Sequence, residues 1–114
     1  MTITSAPHWE SKRTDETRQI ESLLRAAGFE QADSYRYNSA SIRLRVVDQR
    51  FEGLSSEKRD ALVEPYLDQL PERTQADLTT LFTFAPSELQ PPAAGKYRES
   101  VLNREFEDPS PSML

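Results

Sequence analysis

Cysteine is absent from this 114-residue chain, histidine occurs once, at His8, and glycine only three times. The first absence excludes disulfides, thiolate nucleophiles, and zinc or iron–sulfur centres ligated by cysteines of this chain. His8 lies in a polar opening stretch beside Pro7 and Trp9, where an exposed and unstructured imidazole is the expectation. No apolar run approaches the roughly 20 residues of a membrane-spanning helix, and the first residues lack the basic-then-apolar layout of a secretory signal. A cytoplasmic location is therefore the default expectation. Excess positive charge is also missing: the net charge is -5, whereas a general binder of phosphate backbones concentrates Lys and Arg.

The catalytic inventory is equally thin. There is no Gly-rich phosphate loop and no serine in a nucleophile-elbow context. The acidic pairs Asp15/Glu16 and Glu105/Asp108 fall at a helix start or in a flanking segment, where charge complements a helix dipole or is simply solvated. These features predict a protein that is not an enzyme and carries no cofactor.

What is present fits one domain, because hydrophobic residues at 36% and charged residues at 29% give a modest core under a charged surface. Residues 1–13 lack periodicity and read as a flexible arm, with Trp9 free to dock. Thr14 or Asp15 caps a first helix with Ile20, Leu23, Leu24 and Ala27 at i, i+3, i+4 and i+7, and Gly28 stops it. Glu21 and Arg25 then stand four apart on the opposite, solvent side. From Phe29 the period becomes that of a strand. A hairpin follows, with Tyr35, Arg36 and Tyr37 before the turn Asn38–Ala40 and Ser41–Val47 after it. Ile42, Leu44 and Val46 alternate with Arg43 and Arg45, which predicts one buried and one wet face.

Phe51 is expected to anchor a turn at Gly53, and Ser55 or Ser56 to cap a second helix carrying Ala61, Leu62, Tyr66, Leu67 and Leu70 inward. Pro65 predicts a bend or restart near Glu64. Pro71 opens a short third helix over about Glu72–Ala76, and the β-branched and aromatic run Leu78–Phe84 is a third strand. The stretch from Gln90 to Gly95 reads as a Pro-rich linker, so the α+β domain covers 14–89 and residues 90–114 are a tail in which Tyr97, Val101 and Phe106 mark a short docking helix.

The run Ile42-Arg43-Leu44-Arg45-Val46-Val47-Asp48-Gln49-Arg50-Phe51-Glu52-Gly53, then Lys58-Arg59, then Leu81-Phe82-Thr83-Phe84-Ala85-Pro86-Ser87-Glu88, resembles the BolA family in order and spacing from about Gln19 to Leu89. The resemblance implies a fold similar to class II KH domains, in αββααβ order, with a three-stranded mixed sheet covered by helices on one face. It also implies two kinds of role: partnership with monothiol glutaredoxins around a shared two-iron, two-sulfur cluster, or DNA-binding regulation. Two departures stand against the cluster. Asp60 follows Arg59 where the family has Arg-His, and Asp77 stands where the family has a histidine opening its last strand. A hard carboxylate is a poor substitute for imidazole there. Both aspartates are otherwise expected to be exposed and solvated.

The best functional surface in the sequence is a basic and aromatic patch. Arg43 and Arg45, with Arg36, Tyr35 and Tyr37 on the preceding strand and Arg50 and Arg59 nearby in sequence, suit phosphate contact and base stacking. A solvated strand face explains the same residues. Gly53-Leu54-Ser55-Ser56 stands where a KH domain carries its Gly-x-x-Gly phosphate clamp, without the second glycine. Its serines could hold an anion at the helix N-terminus, although ordinary capping accounts for them. The leading expectation is a BolA-like binding or regulatory module, monomeric or weakly dimeric, with a protein partner such as a glutaredoxin. The alternative is a KH-like nucleic-acid or transcription-regulatory protein using the arginine face, and a scaffold whose tails recruit partners stays open as a third.

Overall fold

The computed structural model describes residues 8–89 and 105–107. The elements run as a 3-10 turn His8–Lys12, helix α1 Asp15–Ala26, strands β1 Gln31–Asn38 and β2 Ser41–Val47, a 3-10 turn Gln49–Phe51, helices α2 Ser56–Leu67 and α3 Glu72–Asp77, strand β3 Leu78–Phe84, and a 3-10 turn Pro86–Glu88. One further helical turn lies at 105–107. The sheet order is β1-β2-β3. β1 and β2 pair antiparallel, with Ser34 opposite Leu44 and Tyr35 opposite Arg43. β2 and β3 pair parallel, with Leu44 opposite Leu81 and Arg45 opposite Phe82.

Local chemistry sets the element ends. Thr14 caps α1: its hydroxyl accepts from the Thr17 amide at 3.2 Å, and the Thr17 hydroxyl accepts from the Thr14 amide at 2.8 Å. Gly28, at φ +99°, closes the helix in a conformation that a side chain would strain. Ser55 caps α2 by accepting from the Lys58 amide at 3.3 Å. Pro65 does not restart that helix, which runs through it unbroken to Leu67. The proline sits in the last turn, where one missing hydrogen bond interrupts little of the ladder.

The main core lies between the helices and one face of the sheet, where Ile20 and Leu24 of α1 and Val63 of α2 meet Ala32, Ile42, Leu44 and Val46, with Phe29 and Phe51 closing one end. Two helical stripes are rotated from their sequence reading. In α1 the buried set is Thr17, Ile20, Glu21 and Leu24, so Glu21 faces the sheet and not solvent. Arg25 does not pair with it, donating instead to the Ala32 carbonyl at 3.1 Å. In α2 the buried position is Val63, while Ala61 and Leu62 are exposed. The inward stripe is Val63, Tyr66, Leu67 and Leu70, which carries Asp60 and Arg59 at the helix start on the same side.

The second face of the sheet is also covered. Residues 8–13, expected in a flexible arm, contribute Trp9, 5% exposed, to a cluster with Tyr35 and Phe106, and Phe82 packs against it. The linker from Gln90 and the Tyr97–Val101 part of the expected docking helix lie outside the described residues, as do residues 1–7.

Candidate functional site

The basic patch read from the sequence is divided among four places, and its guanidinium groups are engaged. Arg36 belongs to the helix side, where its Nη2 donates to Glu16 at 2.6 Å and to Asp77 at 2.8 Å. Arg50 lies at the far end of the sheet, pairing with Asp48 at 3.0 Å and stacking over the Phe29 ring at 4.2 Å. Arg59 reaches from α2 across the outer edge of β3. It donates to the Leu54 carbonyl at 2.9 Å, the Thr83 carbonyl at 3.1 Å and the Glu88 carboxylate at 2.7 Å.

Only Tyr35, Tyr37, Arg43 and Arg45 share the outer face of the sheet, and that face is not the wet surface expected. Alternation puts them there, but Trp9 and the 105–107 turn lie over them. Arg45 is 5% exposed. It pairs with Asp33 at 2.8 Å and Glu107 at 2.7 Å, and its guanidinium lies 5.5 Å from the Trp9 ring and 4.6 Å from the Phe106 ring. Arg43 donates to the Glu105 carbonyl at 3.0 Å and lies over Tyr37 and Phe82. Tyr37 is exposed, but a nucleic-acid strand would have to displace protein from Tyr35, Arg43 and Arg45.

In the Gly53 to Ser56 turn the Ser55 side chain is committed to its own helix. Gly53 takes φ +73°, and the Ser55 hydroxyl serves the Lys58 amide as an ordinary cap. Ser56 borders the groove described next.

That groove, of about 470 Å³, lies between the start of α2 and β3 and is lined by Leu54, Arg59, Asp60, Leu81, Thr83 and Phe84 among others. A second hollow of about 290 Å³ continues along α2 past Glu64 and Leu67 and shares Asp60 and Leu81 with the first. Asp60 therefore stands at the junction of the two. No donor or cation among the described residues answers it. Partial burial, and after it the neighbouring Glu64, push its carboxyl above the usual aspartate range. Sequence reading treated Asp60 as a solvated surface residue. The available signal was its place three residues before Val63 on the inward stripe.

Asp77, the other departure from the resembled pattern, is only partly exposed and is held by Arg36. These two positions do not suit an iron–sulfur cluster: both are hard carboxylates, and one is already committed to a guanidinium. Among the described residues no group of three His, Asp or Glu could hold a metal ion, and no helix is long and apolar enough to cross a membrane.

Several carboxylates around these places are held ionised. The Arg36 guanidinium and the Thr74 hydroxyl draw Glu16 below its ordinary range. Burial opposes ionisation of Asp48, but hydrogen bonds from Arg50 and from the Glu30 amide outweigh it and lower the value. Arg59 lowers Glu88. A depressed carboxyl stabilises the fold above its unfolded pKa, roughly 4 to 4.5, and that stabilisation is lost as pH falls through the folded value. Asp60 acts in the opposite sense, since protonation relieves its burial. With three groups against one, the urea midpoint is expected to be level from neutrality to about pH 5 and to fall below about pH 4. A midpoint unchanged down to pH 3 would contradict these pairings.

Comparison with known proteins agrees with the architecture. No family model matches the chain, and no curated protein matches it. Among solved structures, BolA1 from Arabidopsis thaliana matches with a TM-score of 0.50 at 19% sequence identity, covering 66% of this chain and 96% of that one. Nearly all of that protein is matched, so about a third of this chain has no counterpart in it, which is about the share held by residues 1–13 and 90–114. With helix, hairpin, two helices and a parallel third strand in the same arrangement, this chain has a BolA-like α+β fold.

Proposed function

We propose that the chain is a non-enzymatic protein-binding module that receives its partner along the groove between α2 and the outer edge of β3. The observation carrying this reading is Asp60: a partly buried carboxylate without a counter-charge, set between Leu54 and Leu81 beside an edge strand. Leaving such a group unanswered costs free energy, which a lysine or arginine from a partner would recover. The edge adds a second means of attachment: among the described residues β3 pairs with a strand on one side only, and once Arg59 moves aside it offers main-chain groups to an incoming extended segment. The BolA-like fold makes a glutaredoxin-like protein the first partner to test, through contact alone and without a shared cluster ligand.

Titrating isotopically labelled protein with a monothiol glutaredoxin is expected to shift resonances of Leu54, Asp60 and Leu81–Phe84. Asp60→Lys should weaken binding by roughly tenfold or more, as for the loss of one close charge pair. Shifts absent from the groove, or affinity untouched by Asp60→Lys, would remove this reading. The arginines of the outer face favour no nucleic-acid reading, because each already donates to an acceptor within the chain.

A further inference from the structure

The outer face of the sheet holds residues 105–107 as a receptor holds a peptide. Each of the three is read by different chemistry. The Glu105 carbonyl accepts from Arg43 Nη2 at 3.0 Å, the Phe106 carbonyl accepts from the Tyr35 hydroxyl at 2.5 Å, and the Glu107 carboxylate accepts from Arg45 Nη1 at 2.7 Å. The Phe106 ring is fully buried, meeting Trp9, Tyr35 and Phe82 edge-on at centroid distances of 5.3, 5.2 and 5.8 Å. Simple packing requires only the ring. Main-chain carbonyls, ring and carboxylate recognised together define a sequence: an aromatic residue followed by an acid.

Three features make this a site in its own right. The docked turn lies sixteen residues beyond Leu89, where the domain's own elements end, so a segment from another molecule could take the same place. The cluster that holds it is separate from the main core, so emptying it need not open that core. The resident segment also leaves donors unanswered: Trp9 Nε1 and Arg43 Nε are buried with no hydrogen-bond partner. A peptide bringing acceptors to those two nitrogens would fit better than the chain's own segment, by roughly tenfold for one added hydrogen bond.

We propose that the outer face of the sheet, built from Trp9, Tyr35, Arg43, Arg45 and Phe82, is a recognition site for an acidic peptide centred on an aromatic residue, and that residues 105–107 are its resident ligand in cis. The site is independent of the groove at Asp60, and either can fail without the other. A partner peptide competes with a tethered segment whose effective concentration is on the order of millimolar.

Trp9 is the sole tryptophan of the chain, which makes its fluorescence a direct reporter. In full-length Phe106→Ala, emission is expected to move to longer wavelength and quenching by acrylamide to rise. Adding a synthetic peptide of residues 103–109 should reverse both changes. The wild-type protein should show no change with this peptide, because its site already holds the same residues. The same peptide with alanine in place of phenylalanine should do nothing, and Arg45→Gln added to Phe106→Ala should abolish the response. Circular dichroism establishes that the variants are folded. Should Phe106→Ala not fold, Glu107→Arg, which keeps the ring, replaces it with the same expected response. Unchanged Trp9 emission in the folded variant overturns the proposal. So does a peptide that fails to restore the emission, or a single-stranded oligonucleotide that restores it in the peptide's place.

Discussion

Replacing Glu21 with alanine is expected to lower the unfolding free energy by about 3–5 kcal/mol, the cost of breaking a buried charge pair from one side. Glu21 is 1% exposed and joins three parts of the chain. One carboxylate oxygen takes Nη2 of Arg13, from the segment before α1. The other takes the Ser34 amide in β1 at 2.7 Å. Alanine leaves a buried strand amide without an acceptor and strips Arg13, whose Nε already lacks a partner, of its counter-charge. Against a total of about 5–15 kcal/mol for a domain of this kind, such a loss is severe. Glu21→Gln should cost less, because its amide oxygen still serves Ser34. The double variant Arg13→Met, Glu21→Leu should recover much of the loss, since no charge is then stranded. Urea denaturation of the four proteins measures all of this, and a single-variant loss below about 1 kcal/mol would contradict the account.

Phe51→Ala is expected to cost a comparable amount, about 3–5 kcal/mol, by opening a cavity in the main core. The Phe51 ring is fully buried. It lies 6.1 Å from the Phe29 ring and 6.0 Å from the Arg59 guanidinium, so it joins the entrance of β1 to the start of α2. Asp48 holds the turn that presents it: its carboxylate accepts from the Arg50 amide at 2.8 Å and, from across the sheet, the Glu30 amide at 3.0 Å. A loss of this size should lower the melting temperature by about 15 °C or more in a domain of this length. Phe51→Leu, which keeps most of the volume, should cost under about 1.5 kcal/mol. Equal melting temperatures for the two variants would mean that the ring does not fill this space.

Phe51 was legible because an aromatic residue between a strand and a turn glycine has few other roles. The strands were legible for similar reasons. Ile42, Leu44 and Val46 alternate strictly, and Leu78–Phe84 is β-branched or aromatic nearly throughout, so period and composition agree. The helices were legible as elements but not in their rotation. Glu21 and Asp60 occupy inward positions, and a charge at an inward position reads as evidence for the other face until its partner, or the lack of one, is known. Arg13 and Ser34 are remote from Glu21 in sequence, and no local pattern announces them.

The arginine face failed as a reading for a related reason. Alternation placed Arg43 and Arg45 opposite the core correctly, but what lies over them comes from the two ends of the chain. Trp9 and Phe106 stand in stretches whose composition favours turns and solvent; Trp9 has no periodic neighbour, and the weak stripe of Tyr97, Val101 and Phe106 says that a helix could dock without saying on which face. Only the sheet brings them together. The divided fate of the seven patch residues follows from this, since sequence proximity says little about which side of a sheet or which end of it a guanidinium reaches.

The hydrogen bond from Arg59 to the Thr83 carbonyl bears on self-association. β3 ends the sheet on one side, and an open edge strand pairs readily with the same strand of another copy. A guanidinium held across that edge occupies an acceptor that such pairing would use. Glu88 keeps the guanidinium in place. Among the described residues the blockage is a single side chain, removable by a partner that offers Arg59 a better acceptor. Arg59 thus couples the state of the strand edge to what its guanidinium is offered.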